Sequence, residues 1–169
     1  SIQLVATMNP CPCGFHGDSQ HPCRCSPPEV RRYQSRVSGP LLDRLDLVVP
    51  VTRASLDESE PGEPSAPVRD RVLAARQRQL ERQAQRQGGH GPHLNGRLPA
   101  SLLDIHCSLD RDAATLFHQA LVRFGLSARA GDSIRRVART IADLAGRERI
   151  GAPHVAEAVT LRMAGELWN

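Results

Sequence analysis

Apolar positions divide this chain into two patterns. In the first fifty residues they come in short runs. Ser1–Thr7 carries Ile2, Leu4, Val5 and Ala6, which predicts a central strand. Asn9-Pro10 ends it, because the residue before proline is held extended and proline cannot join the ladder. Leu47-Val48-Val49-Pro50-Val51 predicts a second short buried strand, closed by proline. After Val68 the spacing lengthens to that of a helix. Val68, Val72, Leu73, Ala75 and Leu80 form a narrow stripe, predicting a helix over 68–87. Pro99–His106 predicts a short helix, and Leu109–Phe124 a longer one with Ala113, Leu116, Phe117, Ala120 and Leu121 in phase. Ser127 caps a helix running to Leu144, with Ile134, Val137, Ala138, Ile141 and Leu144 inward and Gly146 as its stop. Pro153–Met163 closes the bundle.

Between the two patterns lies Ala54–Pro67, with Asp57, Glu58, Glu60, Glu63 and three prolines. Such a stretch buries little and predicts a mobile linker. The order of elements therefore predicts a mixed fold, strands and short helices first and an all-α bundle after.

Two stretches of the first half carry chemistry. Cys11-Pro12-Cys13 and Cys23-Arg24-Cys25 are tight pairs separated by a polar, glycine-bearing loop. Four thiols this close favour a structural zinc site with Cys11, Cys13, Cys23 and Cys25 as ligands, closed to water and therefore not catalytic. His16 or His21 could replace one thiol; two reduced pairs without metal, or a disulfide formed on oxidation, are the alternatives. Ser26-Pro27-Pro28-Glu29 then opens a helix with Arg31, Arg32, Tyr33 and Arg36 on it, a surface for a phosphate backbone, a neighbouring subunit or solvent.

The second stretch is Ser38–Asp46. Gly39-Pro40 breaks the chain, Pro40 suits a first helical position, and Leu41, Leu42 and Leu45 bury one side of a turn. Arg44 is then presented on a helix-to-strand corner, the geometry of an arginine finger that meets charge on a transferring phosphoryl group. The alternative is a surface arginine paired with Asp43 or Asp46.

Composition adds one decisive fact. All 22 basic residues of the 169 are arginine. A Walker A loop needs lysine on the β and γ phosphates, so this chain carries none. No apolar strand followed by an Asp-Glu pair supplies a Walker B motif. The net charge of +4 permits a nucleic-acid partner without establishing one. Arg71, Arg78, Arg82 and Arg86 make the 68–87 helix basic, a solvated face or a DNA contact. No signal-peptide pattern and no apolar run of membrane-spanning length appear, so a soluble, cytoplasmic protein is expected. Cys107 is isolated and predicts a core position, while His90 and His93 lie in a glycine-rich turn.

Three motifs occur in the order of one family. Leu4–Pro10 resembles a sensor-1 strand, Ser38–Leu47 a finger motif, and Leu126-Ser127-Ala128-Arg129 with Ile134–Leu144 a sensor-2 helix. Together they resemble the AAA+ ATPases of the Mg-chelatase and MCM helicase branch. The Cys-x-Cys pair after Asn9-Pro10 is similar to that of the bacterial YifB/ComM group. The resemblance implies an end fragment of an AAA+ αβ core with a zinc-bearing insertion (1–53, insertion 11–25), the linker 54–67, and a helical lid (68–169). It implies the C-terminal part of a longer ATPase, working as a ring, usually a hexamer, with ATP and Mg²⁺ bound between subunits. Asn9 would orient the attacking water, Arg44 would be the finger, and Arg129 the sensor-2 arginine, with Arg136 as its substitute because Asp132-Ser133 is an unusual start to that motif. For this group the implied work is ATP-driven DNA branch migration during transformation. A Mg-chelatase motor subunit for porphyrin metallation and a non-enzymatic zinc and helix module are the alternatives.

Overall fold

The computed structural model describes residues 3–51, 62–85 and 94–165. Seven α-helices occur among them. They are α1 (Pro27–Gln34), α2 (Gly39–Leu42), α3 (Ser65–Gln85), α4 (Ala100–His106), α5 (Arg111–Arg123), α6 (Ala128–Leu144) and α7 (Ala152–Met163), with a 3₁₀ turn at Asn95–Arg97 before α4. No strand forms among the described residues; the one ladder contact is a parallel bridge between Leu109 and Ile150.

Both predicted strands are therefore corrected. Residues 3–9 and 47–51 join no ladder, the Val48 amide bonding instead to the Leu161 carbonyl of a helix, and Val5 and Val51 are 81% and 90% exposed. An extended run becomes a strand only when a neighbour completes its backbone hydrogen bonds. No such neighbour is present among the described residues. The cysteines of the predicted insertion lie together, and the short helices and the helical bundle of the predicted architecture form.

The bundle forms where local signals are strongest. Asp110 accepts a hydrogen bond from the Ala113 amide (2.8 Å) and caps α5, and Ser127 accepts one from Ala130 (3.1 Å) and caps α6. Gly146 ends α6 with φ +67°, and the Arg147 and Gly146 amides return to the carbonyls of Ala142 and Asp143. That is the Schellman arrangement, which needs a residue at ease in the left-handed region. Leu98, Leu103, Cys107, Ala113, Ile134, Ala138, Ala142, Ile150, Val155 and Ala158 make the core. Leu144, expected inward, is 40% exposed, because Ala142 and Asp143 take the buried face at that end of α6.

α3 departs most from its pattern. It begins at Ser65, inside the predicted linker; residues 54–61 of that linker lie outside the described residues, as do His90 and His93. Its stripe does not face the bundle: Val68, Val72, Leu73 and Leu80 are exposed, and only Ala75 of the five is buried. The helix docks on α6 through polar groups instead. Arg82 makes a two-pronged ion pair with Asp143, at 2.7 and 2.8 Å, and Arg78 donates to the Asp143 carbonyl (3.1 Å). Buried Gln79 accepts from the Asn95 amide (2.9 Å). Charge-assisted and forked bonds of this kind outweigh a thin Val/Leu stripe in choosing the docked face. Arg78 and Arg82 are therefore engaged at the end of α6.

Candidate functional site

The four cysteines come together as a built cluster. Gly14 and Gly17 both adopt left-handed φ (+83° and +82°), which lets the loop turn back on itself. Asp18 closes the tip by accepting from the amides of Gln20 and His21 (2.7 and 2.9 Å). The sulfurs of Cys11, Cys13 and Cys23 lie 3.3 to 3.7 Å apart, and all four Sγ atoms fall within 4.8 Å of one another. A tetrahedron with metal–sulfur bonds of about 2.3 Å has edges of about 3.8 Å, so the cluster is the right size. Neither His16 nor His21 belongs to it; the His21 ring stacks on Phe15 with centroids 5.2 Å apart. Val30 of α1 is buried, and the Gln34 side-chain amide donates to the Pro10 carbonyl (3.1 Å), tying the helix to the loop.

The thiols of the cluster differ in acidity. Amide N–H groups of Arg24 and Phe15 hold the Cys13 thiolate, lowering its pKa to about 6. The Cys13 amide favours the Cys25 thiolate, but burial and the neighbouring sulfurs of Cys13 and Cys11 outweigh it and push Cys25 up to about 12. Cys23 is raised for the same reasons, against the pull of the Cys25 amide. One negative sulfur thus opposes the next, and a divalent cation among them removes that opposition. Cys107 is fully buried in the bundle, its thiol pushed up to about 11 by burial, as expected of a core cysteine.

A second site lies where the Ser38–Asp46 corner meets the bundle. A cavity of about 330 Å³ is lined by Asp43, Arg44, Asp46, Gly96, Arg97, Leu98, Arg129, Ser133 and Arg136. Arg44 and Arg129, predicted from stretches far apart in sequence, face the same space, joined by Arg136. Arg44 is exposed and donates to the Pro40 carbonyl (2.7 Å). It makes no ion pair among the described residues, because its acidic neighbours are occupied elsewhere. Asp43 pairs with Arg162 (2.8 Å) and accepts from Ser127 (3.2 Å), and Asp46 accepts from Ser133 (2.5 Å). Arg136 donates to the Leu98 carbonyl (2.9 Å), with Asp132 at 4.0 Å. Asn9 is exposed on the extended N-terminal segment and does not line this cavity.

Two contributors escaped sequence reading. Arg97 comes from the 3₁₀ turn, where an isolated Asn-Gly-Arg carries no periodic signal. Arg162 stands between apolar Leu161 and Met163, and that interruption was the available clue. The other buried arginine, Arg139, is structural. It is 1% exposed, donates to Asp143 (3.1 Å), and closes the end of α6 on the Glu148 and Arg147 carbonyls (2.7 and 2.6 Å).

Comparison with known proteins bears on both sites. Residues 62–162 match the family described as magnesium chelatase, subunit ChlI C-terminal, and residues 1–59 match magnesium chelatase, subunit ChlI. The competence protein ComM of Haemophilus influenzae is 40% identical over 165 residues, covering 95% of this chain and 30% of that protein. YifB of Salmonella typhimurium and YifB of Escherichia coli are each 40% identical over 170 residues, covering 98% of this chain and 32% of theirs. The chain thus spans about a third of the length of the curated relatives it matches. No helix among the described residues is long and apolar enough to cross a membrane.

Proposed function

Because this chain belongs to the magnesium chelatase ChlI family, we propose that it is the C-terminal part of a longer, ComM-like AAA+ ATPase whose hydrolysis of ATP drives DNA remodelling. The observation that carries the proposal is the arginine cavity. Four guanidinium groups, from Arg44, Arg97, Arg129 and Arg136, line one polar space of about 330 Å³. Such a set suits the charge that spreads over a transferring phosphoryl group. Arg44 is the finger and Arg129 the sensor-2 arginine, with Arg136 beside them. Arg44 meets the γ-phosphate of ATP held by a neighbouring subunit of a ring, a hexamer in this proposal, and Arg129 reaches the nucleotide from the start of α6. Asn9, away from the cavity, orients water at its own subunit's nucleotide. The Walker A lysine and the Mg²⁺ ligands come from sequence outside this chain, which by itself hydrolyses no ATP.

The cysteine cluster holds a structural Zn²⁺. Its four thiols fit a closed tetrahedral site, which stiffens the loop between the sensor-1 segment and α1 and leaves no position for a reacting water. ComM is a competence protein by name, which favours DNA branch migration in transformation as the work done, in the cytoplasm. Exposed Arg31 and Arg32 on α1 are available to a DNA backbone. The family description favours a second reading, a motor subunit for Mg²⁺ insertion into a porphyrin.

Arg44→Ala in the full-length protein tests the proposal. Turnover should fall by roughly 10³-fold or more, with ATP binding and folding retained. Mixing these subunits with subunits lacking the Walker A lysine should restore part of the activity, since some interfaces then have both parts. Turnover within a few-fold of normal would make Arg44 a surface residue. DNA-stimulated turnover separates the DNA reading from the porphyrin reading.

A further inference from the structure

Arg162 lies in the last turn of α7, yet its guanidinium is spent on the corner that carries Arg44. Its side chain is 9% exposed. Nη1 donates to the carbonyls of Leu42 (3.3 Å) and Leu45, and Nη2 donates to the Asp43 carbonyl (3.0 Å) and to Asp43 Oδ1 (2.8 Å). α2 is a single turn, so its closing carbonyls have few partners of their own. A planar fork with five donors satisfies three carbonyls and a carboxylate together; an ammonium cannot. Further ties join the same two elements. Ser127 and Ser133 of the α6 cap and first turns hold Asp43 and Asp46, and the Val48 amide donates to the Leu161 carbonyl of α7 (3.0 Å).

This clamp does two things for Arg44. It fixes the corner to α6 and α7, so the finger keeps its place relative to Arg129 and Arg136. It also occupies the carboxylates flanking Arg44 in sequence, which would otherwise be its nearest ion-pair partners. We propose that Arg162 is a positioning residue for Arg44, through which the finger moves as one body with the lid. The proposal rests on the reading of Arg44 as the residue offered to phosphate.

The test uses the full-length protein and two variants, Arg162→Ala and Arg162→Lys. Misplacement of a reacting group by about 1 Å costs up to 10²-fold, and Arg162→Ala should lower kcat by roughly that factor with little change in ATP binding. Arg162→Lys keeps the charge without the fork and should lower kcat by less. Arg162→Ala subunits should regain activity when mixed with Walker A lysine variants and gain none when mixed with Arg44→Ala, which places the defect on the finger's side of the interface. The double variant should be no slower than Arg44→Ala alone. If Arg44→Ala is inactive while a folded Arg162 variant turns over within twofold of wild type, the positioning role is overturned. Additive losses in the double variant would overturn it too. Should Arg162→Ala fail to fold, Arg162→Lys decides by the same criteria. If Arg44→Ala itself turns over normally, the fault lies with the phosphate-facing reading.

Discussion

The first fifty residues and the helical bundle hold together by different physics. In the bundle, α4 to α7 bury a continuous set of aliphatic side chains from Leu98 to Ala158. In residues 3–51, only Cys11 and Val30 are buried apolar residues. Order there comes from a cluster of sulfurs, from a capped short helix and from the grip of Arg162. A region with so little buried apolar surface cannot offset its own ordering entropy by the hydrophobic effect. It has to be stabilised by metal, by polar clamps, or by apolar surface packed onto Leu4, Val5, Val49 and Val51. The lesson concerns placement. The arginines that line the cavity stand at the seam of these two regions, so the geometry of the cavity depends on both.

Metal removal should break the comparison most sharply. Structural zinc supplies about 10–16 kcal/mol in small zinc-finger peptides. A strong chelator, or Cys11→Ser with Cys13→Ser, should abolish amide-exchange protection across residues 11–34 while α5 to α7 keep theirs. Metal analysis should return one zinc per reduced chain before treatment. Intact protection in the cysteine loop without metal would mean the sulfurs are held by the fold itself.

The bundle should break instead at Asp143. That carboxylate is 2% exposed and accepts from Arg82, Arg139 and Asn95. Asp143→Ala leaves the guanidinium of Arg139 buried without its counter-charge, and removing one partner of such a pair costs roughly 3–5 kcal/mol. Urea unfolding followed by helical circular dichroism should show the loss, with zinc content unchanged. A loss under about 1 kcal/mol would mean that water replaces the carboxylate.

Gly131 offers a smaller perturbation. A methyl group there would meet Leu121 Cδ2 at 3.3 Å and Phe117 Cζ at 3.4 Å. Two flexible side-chain ends can yield by a few tenths of an ångström, and alanine gains roughly 1 kcal/mol in helix propensity. Gly131→Ala should therefore alter stability by less than about 1 kcal/mol in either direction. A larger loss would show that α5 and α6 are packed too tightly to adjust.

The least effect is expected at Arg71. Its pair with Glu63 is close (2.7 Å) but open to water, with both side chains about half exposed. Exposed pairs contribute about 0–1 kcal/mol, so Arg71→Ala should leave the melting profile almost unchanged. A clear loss would show that the segment before α3 is held to the helix more firmly than solvent screening allows.

Much of this protein was legible because it is written locally. The cap at Ser127, the stop at Gly146 and two Cys-x-Cys pairs each act within a few residues, so neighbouring positions suffice to recognise them. The bundle's helices and the cysteine cluster followed from such signals. What could not be read is which arginine does what. All 22 cationic side chains are the same residue, and periodicity distinguishes apolar from polar faces only. Arg82 was assigned to a basic surface, yet it pairs with Asp143, 61 residues away. Arg44 stood equally well beside its own aspartates until Arg162, Ser127 and Ser133 took them. A guanidinium goes where distant carboxylates and carbonyls satisfy its donors, and those partners meet only once the chain has folded. The sequence by itself determined the helices and the grouping of the four cysteines; the tertiary structure decided which arginines are buried, which is clamped, and which four face one cavity.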